Sequence, residues 1–217
     1  MTPAQLKRSM AAGIAFVVLF VVGVFVSFGN APNIKKHDSD AVAAAKYVKQ
    51  LSDSGHRAGL IIGAYLVVLA ALALVWFSQG LRSLVNSEAA GRLVAALGVL
   101  GAAALSVGAM CSAVMAGAIS FGNEKVPQDG DTIRVVMDLS FPLLFVVGGL
   151  VMAAIIATIA VRGGGSLPVW LQYTSWLGVL GAVMAVIFLP MALPLLWFLA
   201  VAITILVRRQ PASMPTP

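Results

Sequence analysis

The chain has 217 residues, 60% of them hydrophobic and 10% charged, against roughly 25% charged in a soluble domain, which excludes an ordinary water-soluble fold. Its net charge of +6 comes from Lys and Arg set between apolar runs, not gathered in a block or along one helical face, which excludes nucleic-acid binding. A membrane-crossing helix takes about 20 residues, so the length holds several crossings and short loops as one all-α membrane domain over residues 1–217.

Runs of about 18 or more apolar residues bounded by charge predict transmembrane helices, because backbone in lipid must satisfy its own hydrogen bonds. The first runs from Met10 to Phe28. Lys7 and Arg8 before it resemble the basic start of a signal peptide, with Ser27 and Gly29 near a cleavage-like site. The apolar run exceeds the usual 7–15 residues, so a retained helix is expected. A second span follows from Ala58 to Phe77, and a third, Leu93 to Ser120, is long enough to tilt. The fourth runs from Val135 to Val161. Residues Leu167 to Val207 are too long for one crossing and carry Pro190 and Pro194, so they split into a hairpin, Leu167 to Leu189 and Met191 to Val207. The expectation is a bundle of six transmembrane helices.

With the amino terminus inside, Lys and Arg divide evenly between the two sides of such a bundle. Lys7 and Arg8 flank the first helix directly, Arg208 and Arg209 stop the last, and the short connections carry almost no acid. Both termini are therefore expected in the cytoplasm. Trp76, Trp170, Tyr173 and Trp176 would then mark the inner interface and Trp197 the outer one. The absence of an Asn-x-Ser/Thr acceptor is compatible with a bacterial inner membrane.

Between the first two spans, Ser39 or Asp40 can cap a helix over about 40–52, with Ala41, Ala44, Ala45, Val48 and Leu51 at helical spacing. This reads as a short amphipathic helix, either a surface strut or a lid over a site. Ser27-Phe28-Gly29-Asn30 recurs as Ser120-Phe121-Gly122-Asn123, and Leu97 to Ala102 recurs as Leu177 to Ala182. The matches suggest tandem two-helix units, against which stands coincidence among Leu, Gly, Ala and Val. Ala104, Gly108, Ser112, Ala116 and Ser120 form a small-residue ridge on the third span, for close packing within the chain or with a second copy. Gly148 and Gly149 on the fourth could supply the matching groove.

Polar residues in the spans are few. Asp138 is the one acid within an apolar helical run, and no Lys, Arg, Glu or His occupies a bilayer midplane, which disfavours ion-coupled pumping. No His-Glu-x-x-His, phosphate loop or dinucleotide fingerprint occurs. Asp138 follows Arg134 at i+4 and lies about 33 Å along the helix from Ala160, at the outer interface. Pro142 cannot donate to the Asp138 carbonyl, so a kink and a free acceptor are expected beside the carboxylate, with the Ser140 hydroxyl nearby. Asp138 is either a helix-end acid paired with Arg134 or a polar binding feature at the mouth of the bundle. With Tyr65, these residues form the candidate ligand-binding set. His37 and His56 are weak catalytic candidates, since His37-Asp38-Ser39-Asp40 and His56 could converge if the loop folds back. Their spacing matches no metal motif, and solvated loop residues are the simpler reading. Gln172-Tyr173-Thr174-Ser175-Trp176 reads as interfacial, or as a lipid-headgroup site. Cys111, alone in an apolar run, is a packing residue.

No cofactor and no metal are expected. The leading expectation is a non-enzymatic membrane protein that binds a lipid or an apolar small molecule, or that associates with copies of itself or with other membrane proteins. Passive or facilitated transport of a small solute is the alternative. An enzyme acting on a lipid-soluble substrate at the outer face is a third reading, which requires Asp138 to meet a histidine or Asp131 in one pocket.

Overall fold

The computed structural model of the protein describes residues 1–35, 37–122, 130–163, 167–187 and 189–207. Lys36, Asn123, Glu124, Lys125, Asp129, Arg208 and Arg209, which figure in the repeat, the acid distribution and the topology signals, lie outside the described residues. The described residues are helical, with no strand among them.

Helix α1 (Pro3–Gly29) starts where Thr2 and Gln5 form a reciprocal capping box and Pro3 occupies the first turn, where its missing N–H is not needed. The amphipathic helix α2 (Asp40–Ser52) is capped by Ser39, whose hydroxyl accepts from the Val42 N–H. Helix α3 (Ser54–Leu81) is capped by Asp53, and α4 (Glu88–Phe121) by Ser87. Helix α5 (Gly130–Asp138) is followed by a six-residue π-helix, Pro142–Val147, and then by α6 (Gly148–Arg162). Helices α7 (Val169–Val183) and α8 (Ala192–Val207) complete the described residues.

Among the described residues, four helical stretches are long and apolar enough to cross a membrane: Pro3–Gly29, Ser54–Leu84, Glu88–Phe121 and Asp131–Arg162. These dimensions are those of a helical membrane protein. The expected fifth and sixth spans are shorter. Helices α7 and α8 have 15 and 16 residues, about 22–24 Å at 1.5 Å per residue, against a hydrocarbon core of about 30 Å. Two 3₁₀ turns, Met184–Ile187 and Leu189–Met191, take up the remainder, and Pro190 sits in the second. Pro194 does not break the chain as Pro190 does, because it falls in the first turn of α8, where proline is tolerated.

The helices pack in a closed ring, α1 against α3, α3 against α4, α4 against the π segment and α6, α6 against α7, α7 against α8, and α8 back on α1. Phe16, Phe77 and Phe198, from α1, α3 and α8, meet edge to face at its centre with ring centroids 5.6–6.1 Å apart. The most extensive seam is α1–α3, where a Cβ on Gly63 would lie 2.8 Å from the Gly23 carbonyl oxygen and from the Ser27 nitrogen. On the α4 ridge, Gly108 faces Leu143 and Leu144, and Gly148 faces Leu105 of α4. Gly149 instead meets Ala182 and Ala185, so the two adjacent glycines serve different neighbours.

Two sequence-derived placements change. The buried face of α2 is Ala43, Tyr47 and Leu51, while Ala41 and Ala45 are exposed. The helix is rotated toward the side where its one aromatic can be buried and its hydroxyl satisfied. Trp197 is not interfacial: it is 4% exposed, and its indole N–H donates to the Leu171 carbonyl and the Ser175 hydroxyl at 3.3 and 3.1 Å. The partner it needs lies on α7 inside the bundle, so the ring turns inward. Ser175, from the polar-aromatic cluster, is fully buried as that partner, while Tyr173 and Trp176 remain exposed.

Candidate functional site

At the end of the bundle where α1 finishes and α3 begins, the helices leave a cavity of about 480 Å³. Val24 and Phe28 of α1, Leu60 and Val67 of α3, and Ala109 and Ser112 of α4 form much of its wall. The π segment closes the remaining side. Pro142 has no N–H for the carbonyl four residues back, and the hydrogen-bond register widens: the Gly148 N–H reaches Leu143, five residues earlier. The expected kink is thus a π-bulge. Phe141, just before this segment, and Leu144 within it line the cavity, and the Phe145 ring packs at a tilt between Phe28 and Phe141, with centroids 5.8 and 4.9 Å away.

Helix α2 lies across the mouth. Tyr47 and Leu51 are buried against Leu60, Ala116, Ile133 and Met137 in a small apolar cluster separate from the main core. The Tyr47 hydroxyl donates to Asp138 Oδ1 at 2.7 Å, joining residues 91 positions apart in the chain. Burial, and then the hydrogen bond and charge of Asp138, push the Tyr47 phenol well above the ordinary tyrosine range. Asp138 also lies 3.5 Å from the Arg134 Nε. Its side chain is 57% exposed, so the carboxylate forms the rim of the cavity and not its floor. Ser140 lies on the same wall, and Ser112 already donates its hydroxyl to the Ala109 carbonyl.

The cap is tied down at both ends. Arg57 donates to the Leu51 and Ser52 carbonyls at the carboxyl end of α2, and its Nε donates to the Ser120 hydroxyl of α4 at 3.2 Å. Gln50 donates to the Asn30 carbonyl. Lys46 donates to the Asn33 carbonyl and to Asp38, whose carboxyl is held below the usual carboxylate range chiefly by that hydrogen bond and by the Lys35 N–H.

Of the residues singled out in the sequence, Asp138 and Ser140 line this cavity, and Arg134 pairs with Asp138 from outside the cavity. Asp131 shares an open groove with Arg134 and Asp138 there. Tyr65 does not join them: it is exposed on α3 beside a separate apolar groove bounded by Met110, Val114 and Phe121 of α4. His56 stands at the start of α3 with its Nδ1 3.1 Å from Asp53, and His37 is exposed in the preceding turn. Neither histidine lines the cavity. Among the described residues no group of three or more His, Cys, Asp or Glu is placed to hold a metal ion. The important residues not found from sequence are Tyr47 and Arg57. Tyr47 had a signal, as the one polar-tipped aromatic in an alanine-rich amphipathic helix; Arg57 had none beyond marking a helix start.

Compared with protein-family models, curated proteins and solved structures, the chain matches none of them.

Proposed function

We propose that the protein is a multi-pass plasma-membrane protein that binds a lipid or an apolar small molecule in the capped cavity. Helices α7 and α8 are its fifth and sixth crossings, both termini are cytoplasmic, and the cavity opens toward the outer face. The observation that carries this reading is the cavity itself: about 480 Å³ of mostly apolar wall with a carboxylate, a phenol and a hydroxyl gathered at one end under α2. That size and polarity suit a ligand with an apolar body and one polar end. Asp138, held by Tyr47 and Arg134, is fixed in place to accept a hydrogen bond from the polar end. The apolar end would lie against Phe28, Phe141 and Leu144.

The test is native mass spectrometry of the protein released from lipid nanodiscs, with wild type compared to Ser112→Phe and Asp138→Asn. Ser112 is on the cavity wall, and a phenyl ring there fills the space a ligand would use. Wild type is expected to carry a discrete added mass, absent from Ser112→Phe and weakened in Asp138→Asn. The same bare mass in all three would refute the reading.

A further inference from the structure

We propose a second binding site, at the opposite end of the bundle, for the phosphate headgroup of an anionic phospholipid. It depends on none of the residues of the capped cavity. The amino-terminal turns of α1 and the last turns of α3 run side by side there, with Ser9 and Met10 packed against Gly80. Between them is an open cleft of about 680 Å³ that brings Arg8 and Arg82 together with Gln5, Gln79 and Trp76.

Three features point to a phosphate-bearing lipid. The first is uncompensated charge. Arg8 and Arg82 are both exposed, and neither is paired with a carboxylate among the described residues. Glu88, the one described acid at this end, is already 2.9 Å from Arg92. Two arginines lining one cleft supply the charge and the fork-shaped donors that a phosphodiester takes, and the amides of Gln5 and Gln79 offer further donors. The second is what borders the cleft. From Trp76 an exposed apolar stripe runs up one face of α3 through Leu72 and Leu69 to Tyr65. The third is its length: eleven residues at 1.5 Å rise make about 16 Å, the depth of one leaflet of a bilayer with a roughly 30 Å core. A headgroup held by the arginines would leave an acyl chain lying along this stripe, with the Trp76 ring at the boundary. A free phosphate has the charge for the cleft but no use for the stripe, so the lipid is the better fit.

The full-length protein in phosphatidylcholine nanodiscs doped with phosphatidylglycerol tests this, with co-released lipids counted by native mass spectrometry. Wild type is expected to retain phosphatidylglycerol in preference to phosphatidylcholine. A basic side chain near a membrane surface contributes about fivefold to such binding, so Arg8→Gln/Arg82→Gln should reduce the preference roughly 25-fold. Arg92→Gln, which removes an arginine already paired with Glu88, should leave it unchanged. Arg8→Lys/Arg82→Lys keeps both charges and should retain part of the preference; it also reads the site if the glutamine pair fails to fold. An equal content of phosphatidylglycerol in wild type and the glutamine pair, or no preference in wild type, would overturn the proposal. A parallel titration of inorganic phosphate into phosphatidylcholine-only nanodiscs separates the sources. Arginine-dependent binding of phosphate there, without retention of phosphatidylglycerol, would overturn the lipid assignment in favour of a soluble anion.

Discussion

Replacing Gly63 by alanine should separate α1 and α3, the two helices that share the most extensive contact in the bundle. A Cβ at this position would lie 2.1 Å from the Ser27 Oγ and 2.8 Å from both the Ser27 nitrogen and the Gly23 carbonyl oxygen. The Ser27 hydroxyl can rotate away, but the two backbone atoms belong to α1 and move only if the helix does. An ordinary van der Waals contact lies at 3.4–4 Å, so the seam must open by about half an ångström or more. Overpacking of this kind costs about 1–3 kcal/mol, and contact with backbone places Gly63→Ala in the upper part of that range. The better helix propensity of alanine offsets about 0.5–1 kcal/mol. The net expectation is a loss of about 1–2 kcal/mol. It is measured by reversible unfolding in mixed micelles, with Gly117→Ala as the control. A Cβ on Gly117 meets nothing within 4 Å, so that variant should match or slightly exceed wild type. If Gly63→Ala is as stable as Gly117→Ala, the close approach of α1 and α3 is not what the geometry implies.

Tyr47→Phe removes the hydroxyl that holds α2 to Asp138 and should raise amide hydrogen exchange in α2 roughly fivefold, about 1 kcal/mol for a hydrogen bond whose acceptor water can reach. The folded-state pKa of Tyr47 is raised above its ordinary value of 10.0, so its contribution is fully present below pH 10.0 and is lost as pH rises through the folded value. Wild type and Tyr47→Phe should therefore converge in α2 exchange at strongly alkaline pH, and a difference that persists unchanged would remove Tyr47 as the latch. Asp38 has the opposite sign. Its folded pKa lies below the ordinary 3.8, so its ion pair with Lys46 stabilises the loop above pH 3.8 and is lost as pH falls through the lowered value, a dependence that Asp38→Asn should abolish in loop proteolysis. Trp197→Phe removes a buried indole N–H and leaves space between α7 and α8, and should destabilise by about 1–3 kcal/mol in the same unfolding assay. A variant as stable as wild type would show that the hairpin does not depend on this contact.

The chain alone carried the class of protein, because apolar length and sparse charge are one-dimensional properties and a bilayer reads them directly. All six apolar segments emerged as helices, Ser39 emerged as a cap, and the Arg134–Asp138 pair followed from i+4 spacing. Pro142 announced a disturbed helix for the same local reason. What α7 and α8 lack in length was not readable, since apolar residues in a 3₁₀ turn look like those in an α-helix. The rest is settled by distance in space. Tyr47 reaches Asp138 only because α2 folds back over the mouth of the ring, and Trp197 turns inward only because Ser175 and Leu171 of another helix offer it acceptors. Arg8 and Arg82 share a cleft because α1 and α3 are antiparallel neighbours whose glycines allow them to touch. Hydropathy determines which segments leave water. Which of their few polar groups meet is decided by helix packing, where a buried or half-buried donor must find its acceptor wherever the fold has placed it.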